Sequence, residues 1–542
     1  MPSDLLGLVL AAADAHPGDP ALTYGRRTLG YGELAARIRA TAAGLRAEGL
    51  VPGDRVLFSV RPGADAVVLA LGIVLAGGVV VFADPGAGEA LFRARAALAA
   101  PRFVAAESLL HLASSRPLRG VARRRGLELA PYGRLVPGAT HLYAGPWLPG
   151  VPRGALPLRA LRSRARGEST RIGESGAGAA AEARTLGGAA LDGAALGGAA
   201  LGEPALIVFT SGTTDSPKGV VHSRASLGAG LADFAAGVGI RRGQRVLTDQ
   251  LMVGVPALIA GAHWSIPPAG IDPGARPERY LRLLPDAELL FAVPAGLDAI
   301  LRELDARPQL APEHLDTIVL GGAPVLRPLL ERAAARFPWA RIRAVYGMTE
   351  ILPVAIADGA EKLAAPPGEG DDVGRVVPSV RARIRDGELV LSGDGLALGY
   401  LGGEGTGIDP LSEIATGDLA RLDGDRLTLL GRRKDMFIRG TQNVYPGLYE
   451  PVIAGLPGVA EAAITGLPDA IGDDRIVLAL VAAGDPAGLA ERVRRSLPGL
   501  IDAGVLPDEI IVLDELPRSG RGRKLDRTRL AEVVGGALGE SA

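Results

Sequence analysis

The chain contains no cysteine. That excludes disulfides, thiolate catalysis, iron–sulfur clusters and cysteine-based zinc sites. Histidine is sparse: six residues, at positions 16, 111, 141, 222, 263 and 314, with none of the spacings that metal ligation imposes. No protein-built transition-metal site is expected. The formal net charge is −1, which leaves no electrostatic basis for binding nucleic acid or an anionic membrane. Asp4 interrupts the apolar start of the chain and no basic stretch precedes it, so no signal peptide is expected. The uncharged run at residues 66–83 contains glycines and falls short of the roughly 20 apolar residues that span a bilayer. It reads instead as a buried helix running into a buried parallel strand at 79–82. A cytoplasmic protein without a membrane span, monomeric or homodimeric, is the expectation.

Lysine is the scarcest charged residue. Of 59 basic residues only four are lysine: Lys218, Lys362, Lys434 and Lys524. A compact ammonium on a flexible stem and a planar guanidinium do different work, so lysines retained in an arginine-rich chain mark places where a point charge is needed. Three of them stand in polar, glycine-flanked segments. Lys362 lies in what reads as a charged loop and is taken as a chance survivor.

The length implies more than one domain, and the 48% hydrophobic content supports a large core. Helical and strand patterns alternate over the first 150 residues, with a helix at 31–45 and a strand at 54–60; this alternation argues for an α/β parallel sheet. Residues 160–203 break the pattern. A polar stretch leads into a crude five-residue repeat of glycine, alanine and leucine at 187–201, a low-complexity composition that predicts a flexible insertion. Strand signals resume at 205–209, 245–247, 289–293, 317–320, 343–345 and 388–391. Beyond Lys434, residues 459–465 and 475–483 read as strands, with helical patterns between and after them. The fold class expected is α/β: a large N-terminal domain of parallel-rich sheets with helices, residues 1–433, joined by a hinge to a small α+β domain, residues 434–542.

The strongest chemical segment is Phe209-Thr-Ser-Gly-Thr-Thr-Asp-Ser-Pro-Lys-Gly-Val-Val221. A buried strand runs into a loop of hydroxyls and glycine that ends on lysine. Glycine lets backbone N–H groups approach anionic oxygens, the hydroxyls of Thr210, Ser211, Thr213 and Thr214 donate, Gly212 gives clearance and Lys218 adds charge. The P-loop pattern Gly-x4-Gly-Lys-[Ser/Thr] is absent, so this is a different phosphate cradle. A plain polar turn is the alternative. Four further segments stand in order after it: Gly321-Gly322-Ala323-Pro324 and Tyr346-Gly347-Met348-Thr349-Glu350, each after a strand; Thr416-Gly-Asp418; and Gly431-Arg432-Arg433-Lys434-Asp435. Each alone could be an ordinary turn. Near the end stands Pro517-Arg-Ser-Gly-Arg-Gly-Arg-Lys524-Leu-Asp-Arg527.

Together these segments, from about Leu22 to Leu530, resemble the adenylate-forming enzymes: acyl- and aryl-CoA synthetases, peptide-synthetase adenylation domains and luciferases. The resemblance implies that residues 210–218 and the loop 321–324 hold ATP and that Tyr346 packs on adenine. It implies that Thr349 meets the α-phosphate, that Glu350 holds Mg²⁺ and that Asp418 and Arg432 serve the ribose. Lys434 would be the hinge and Lys524 the catalytic lysine, with Arg523 its rival, because the family has glycine directly before that lysine. The family also has glycine where Asp215 stands. The implied reaction is activation of a carboxylic acid by ATP to an acyl adenylate, with coenzyme A as acceptor. Apolar residues at 250–256 and 291–294, without an evident cation, point to a hydrophobic acid. Alternatives are a ligase that loads a carrier protein, a β-lactone synthetase-like enzyme, or an inactive binding relative permitted by Asp215 and the longer 517–524 loop.

Overall fold

The computed structural model describes residues 4–83, 85–124, 129–162, 202–210, 218–366, 370–402, 407–439, 442–468, 474–498, 500–501, 503–519 and 524–539. It is a mixed α/β structure with a large N-terminal domain and a smaller C-terminal one. The uncharged run behaves as its composition predicts. Helix Ala64–Ala76 is buried over most of its length. The chain then reverses at Gly77, whose φ of 91° lies in the left-handed region that glycine enters without strain. Strand Val79–Phe82 follows at once, paired parallel on both sides with Arg55–Ser59 and Pro204–Thr210. A strand buried on both faces must be apolar at successive positions, which is why alternation is missing here.

Two sheets make the large domain. The nine-stranded sheet carries those three strands with Phe103–Glu107 and Thr140–Ala144 in parallel, and Lys218–Ser223 returns antiparallel against Pro204–Thr210. In the thirteen-stranded sheet Pro20–Tyr24, His263–Ile266, Arg245–Leu247, Leu289–Ala292, Thr317–Gly321 and Arg341–Met348 run parallel, and Ile351–Asp358 turns back. Helix Arg224–Val238 joins the two. It continues directly from Lys218–Ser223 and lies against Ile351–Asp358 so closely that a Cβ on Gly230 would stand 2.4 Å from the Leu352 carbonyl oxygen. Its first residue, Arg224, pairs at 2.6 Å with Asp4, whose carboxylate also caps helix Leu5–Ala15.

The small domain is built on Val459–Pro468, Asp474–Ala482 and Glu509–Leu513. Its central strand is buried on both faces. Ile476, Leu478 and Leu480 face Leu489 and Val493, while Val477 and Ala479 face Leu530 and Val534. Period-two alternation thus serves two cores instead of one core and solvent.

Two expectations need correction. Lys362 is not in a loop: it lies on helix Gly359–Ala364, is buried, bonds the Asp371 carboxylate and donates to the Asp372 carbonyl oxygen at 2.9 Å. Its retention is structural, since a buried ammonium needs a partner. Tyr346, Gly347 and Met348 do not follow a strand but form its end, and a second strand comes next. At the start of the segment expected to be an insertion, Leu161 is buried and Arg162 pairs with Asp65 at 3.1 Å. Residues 163–201 lie outside the described residues.

His111 and His141 are buried with ring centroids 5.9 Å apart. Neither ring nitrogen of His111 has a hydrogen-bond partner among the described residues. Burial, helped by the neighbouring His141, pushes His111 down to about 4. The unfolded chain takes up that proton near pH 6.5, whereas the folded chain refuses it until about 4. The contribution is therefore complete above pH 6.5 and is lost as pH falls toward 4, reaching about 3 kcal/mol at the acid end. Denaturant midpoints at pH 7.5 and 5 should show this loss, and His111→Leu should reduce it. Equal pH dependence in wild type and variant would remove His111 as the cause.

Candidate active site

Strand Pro204–Thr210 ends with Thr210 opposite Lys218 in antiparallel register. Ser211, Gly212, Thr213 and Thr214, with Asp215, lie outside the described residues. Side chains alternate along Lys218–Ser223, which puts Lys218, Val220 and His222 on one face. Strand Gly399–Leu401 pairs antiparallel with this one and sets Tyr400 opposite Val220. Lys218 Nζ sits 5.7 Å from the Tyr400 ring centroid. Glu350 arrives from the other sheet, at the turn between Arg341–Met348 and Ile351–Asp358, where its carbonyl accepts from the Ala397 N–H at 2.8 Å. Its side chain is buried and accepts the Tyr400 hydroxyl at 2.8 Å on Oε1. His222 is buried and in contact with the Thr349 carbonyl oxygen at 2.7 Å through Nε2, which must therefore carry the proton. Burial pulls His222 below its usual range against that bond and the Glu350 charge.

A second cluster forms where Asp418 stands opposite Arg432 in antiparallel register. Asp418 is buried; Tyr346 Oη donates to Oδ2 at 2.6 Å and Arg432 Nε to Oδ1 at 2.7 Å. Burial first, then the Asp418 charge, raises the Tyr346 hydroxyl above its usual range and keeps it a donor. The bend before Asp418 is held by Glu388, which accepts from the Gly417 N–H at 2.8 Å and pairs with Arg433 at 3.1 Å. Gly417 has φ 75°, a conformation that costs a side-chain-bearing residue energy.

The loop Gly321, Gly322, Ala323 and Pro324 starts at the carboxyl end of Thr317–Gly321. A Cβ on Gly321 would stand 3.4 Å from the Val345 carbonyl oxygen, directly before Tyr346, so this loop and the Tyr346 strand end abut. A Cβ on Gly347 would stand 2.5 Å from Leu352 Cδ1 and 3.3 Å from the Ile351 carbonyl oxygen, so the turn is tightly packed there. Ligands of open parallel sheets bind outside such carboxyl ends.

Lys434 and Lys524 are exposed, and among the described residues neither they nor Lys218 has a carboxylate partner. Lys524 opens a two-residue strand opposite Ser519, and Asp526 caps helix Arg527–Ala537. No contact among the described residues joins Lys524 to the Glu350 or Asp418 clusters, and Arg523 lies outside the described residues. No group of three or more His, Asp or Glu side chains that could hold a metal occurs among the described residues. Glu350 alone suits a Mg²⁺ ion that keeps water and substrate phosphates as its other ligands. Of the residues proposed for an acid pocket, Val253 and Val255 are core, whereas Leu251, Met252 and Phe291 are half-buried. His222, Tyr400 and Glu388 were not singled out in the sequence. His222 was detectable from its two-residue alternation with Lys218; the other two depend on pairing across distant strands.

A family profile described as AMP-binding enzyme matches residues 9–401, and one described as AMP-binding enzyme C-terminal domain matches residues 449–523. The isonitrile lipopeptide synthase of Streptomyces coeruleorubidus is 29% identical over 98% of this chain, which spans about a third (33%) of that protein's length. A probable 2-succinylbenzoate–CoA ligase of Mycobacterium tuberculosis is 33% identical over 61% of this chain and 85% of its own. In fold, MatB from Rhodopseudomonas palustris superposes with a TM-score of 0.73 at 23% identity, covering 98% of this chain and 99% of its own. No helix among the described residues is long and apolar enough to cross a membrane. The chain belongs to the AMP-binding enzymes, the adenylate-forming superfamily.

Proposed function

We propose that the chain activates a hydrophobic carboxylic acid with ATP and passes the acyl group to the thiol of coenzyme A. The observation that carries this reading is the meeting, over Tyr400, of a buried carboxylate and an ammonium that has no carboxylate partner among the described residues. A carboxylate oxygen of the acid attacks the α-phosphorus. The new P–O bond forms as the bond to the β-phosphate bridge breaks, and pyrophosphate leaves with that electron pair. Positioning and charge neutralisation carry most of such a step. Lys218 and the 210–214 segment neutralise the polyphosphate, and Thr349 binds the α-phosphate. Glu350 would hold Mg²⁺, which when bound supplies charge neutralisation to the phosphates. The loop 321–324 and Tyr346 border the adenine. Asp418, with two lone-pair sites still open after Tyr346 and Arg432, accepts the ribose hydroxyls.

Lys524 bridges the acid's carboxylate and the α-phosphate. Its exposure and lack of a carboxylate partner among the described residues support this role, because an ammonium already paired would have to break that pair first. We place the domain boundary at residues 433 and 434 and the pivot at Lys434. Rotation there withdraws Lys524 and admits the thiol, which attacks the acyl carbonyl and expels AMP. The relative named as a CoA ligase supports coenzyme A as acceptor. A second reading, delivery to a carrier protein, is favoured by the likeness to a lipopeptide synthase over nearly the whole chain. Pyrophosphate release measured over a panel of carboxylic acids, with coenzyme A or a carrier protein then added, separates the two; no acid-dependent release from any member would overturn both.

Lys524→Ala should slow adenylate formation by about a hundredfold or more, the scale of losing a charge stabilised only in the transition state. It should leave thioester formation from supplied acyl-AMP largely intact. Equal losses in both half-reactions would argue against the assignment. Asp418→Ala should raise KM for ATP about tenfold, since hydrogen bonds to a charged acceptor are lost. It should also erase discrimination against 2′-deoxy-ATP; discrimination that survives would move the ribose site elsewhere.

A further inference from the structure

Tyr400 stands where the two sheets meet. Its strand is held by backbone pairing to Lys218–Ser223, and the segment before it, through Ala397, is bonded to the Glu350 carbonyl. Strand pairing therefore fixes the phenol before any ligand arrives. Its hydroxyl reaches only one of the two carboxylate oxygens of Glu350, Oε1. The other, Oε2, has no hydrogen-bond partner among the described residues.

A carboxylate tied in this way presents a single oxygen. Mg²⁺ is small, demands near-octahedral geometry and takes carboxylates through one oxygen. Ca²⁺ accepts more ligands and both oxygens of one carboxylate. We propose that Tyr400 is a positioning residue that restricts Glu350 to one metal-facing oxygen and so sets the preference of the nucleotide site for Mg²⁺ over Ca²⁺. Its ring has a second duty. The face that receives Lys218 holds the ammonium by cation–π attraction. Among the described residues no carboxylate neutralises the lysine, which leaves its charge available to phosphate. The inference rests on the adenylating reading above.

The test is ATP binding by calorimetry in Mg²⁺ and in Ca²⁺, on the full chain, with pyrophosphate release measured alongside. Tyr400→Phe deletes one oxygen and keeps the ring. Its Mg²⁺-to-Ca²⁺ affinity ratio should fall about tenfold, the scale of one hydrogen bond to a charged group, while the thermal midpoint without ligand stays close to wild type. Tyr400→Leu should lower the ratio equally and also weaken ATP binding with either cation, because Lys218 loses its seat. A tyrosine that merely packs the fold would shift the midpoint and leave the ratio alone. A wild-type ratio in Tyr400→Phe, with wild-type protein binding ATP normally, overturns this inference and leaves the adenylating reading standing. Wild-type protein that binds no ATP with either cation overturns both.

Discussion

The contact between helix Arg224–Val238 and strand Ile351–Asp358 decides the rest. Lys218 and Glu350 belong to different sheets, and nothing local to either brings them together. The helix does, because it extends the Lys218 strand and presses glycine faces onto the Glu350 strand at Gly230 and Gly237. A methyl group at Gly230 would meet a backbone carbonyl that cannot retreat without dragging the strand pairing with it. Close packing of this kind transmits displacement instead of absorbing it. The site is thus held by an apolar interface some residues away, and its polar members inherit their positions. The buried pair between Asp4 and Arg224 secures the N-terminal end of the same helix. A residue near the very start of the described chain therefore bears on the geometry of the centre.

Much of this was legible in the sequence, and the reason differs from element to element. Residues 66–83 carry continuous apolar character broken by glycine, and such a run has few soluble solutions other than a helix and strand buried together. The motif strands at 205–209, 245–247 and 317–320 end in glycine or polar residues where parallel strands must end, so both position and role could be read. Local pattern failed where a contact partner is remote. Lys362 looked like a solvated charge because Asp371 and Asp372, although near in sequence, enclose it only after a sheet strand returns beside its helix. The Tyr346 segment read as following a strand, whereas its first three residues form the strand's end and the chain continues into a hairpin. Tyr400 was invisible for the same reason: its significance lies in pairing with a strand about 180 residues earlier.

The charged residues divide by chemistry. Arginine ties the surface together through forked pairs such as those between Arg527 and Glu450 or Arg426 and Asp372. Such pairs hold shape with two bonds in one plane. Among the described residues, three of the four lysines have no carboxylate at all, and the fourth is locked into a buried pair. An ion pair that held Lys218 or Lys524 would have to be broken before an anionic substrate could use the charge. Among the described residues these ammonium groups have no carboxylate to give up, which accords with the phosphate- and carboxylate-binding roles proposed for them.

The same division bears on the hinge proposed at Lys434. Arg432 is bound to Asp418 and Arg433 to Glu388, both on the large domain. Asp435 is bound to Arg527, on the small domain. Lys434, between them, is exposed and unpaired among the described residues. The chain is therefore clamped on each side to a different body, with one residue between the clamps. In the hinge motion proposed at Lys434, backbone rotation at that residue would leave these ion pairs intact, whereas rotation at 432, 433 or 435 would have to break at least one. Hinges absorb large dihedral changes at few positions, and this arrangement favours position 434 for that energetic reason. The Glu388 carboxylate that clamps Arg433 also holds the Gly417 N–H beside Asp418. One carboxylate, Glu388, thus links Arg433 beside the proposed hinge to the bend before Asp418, the acid proposed to grip the ribose.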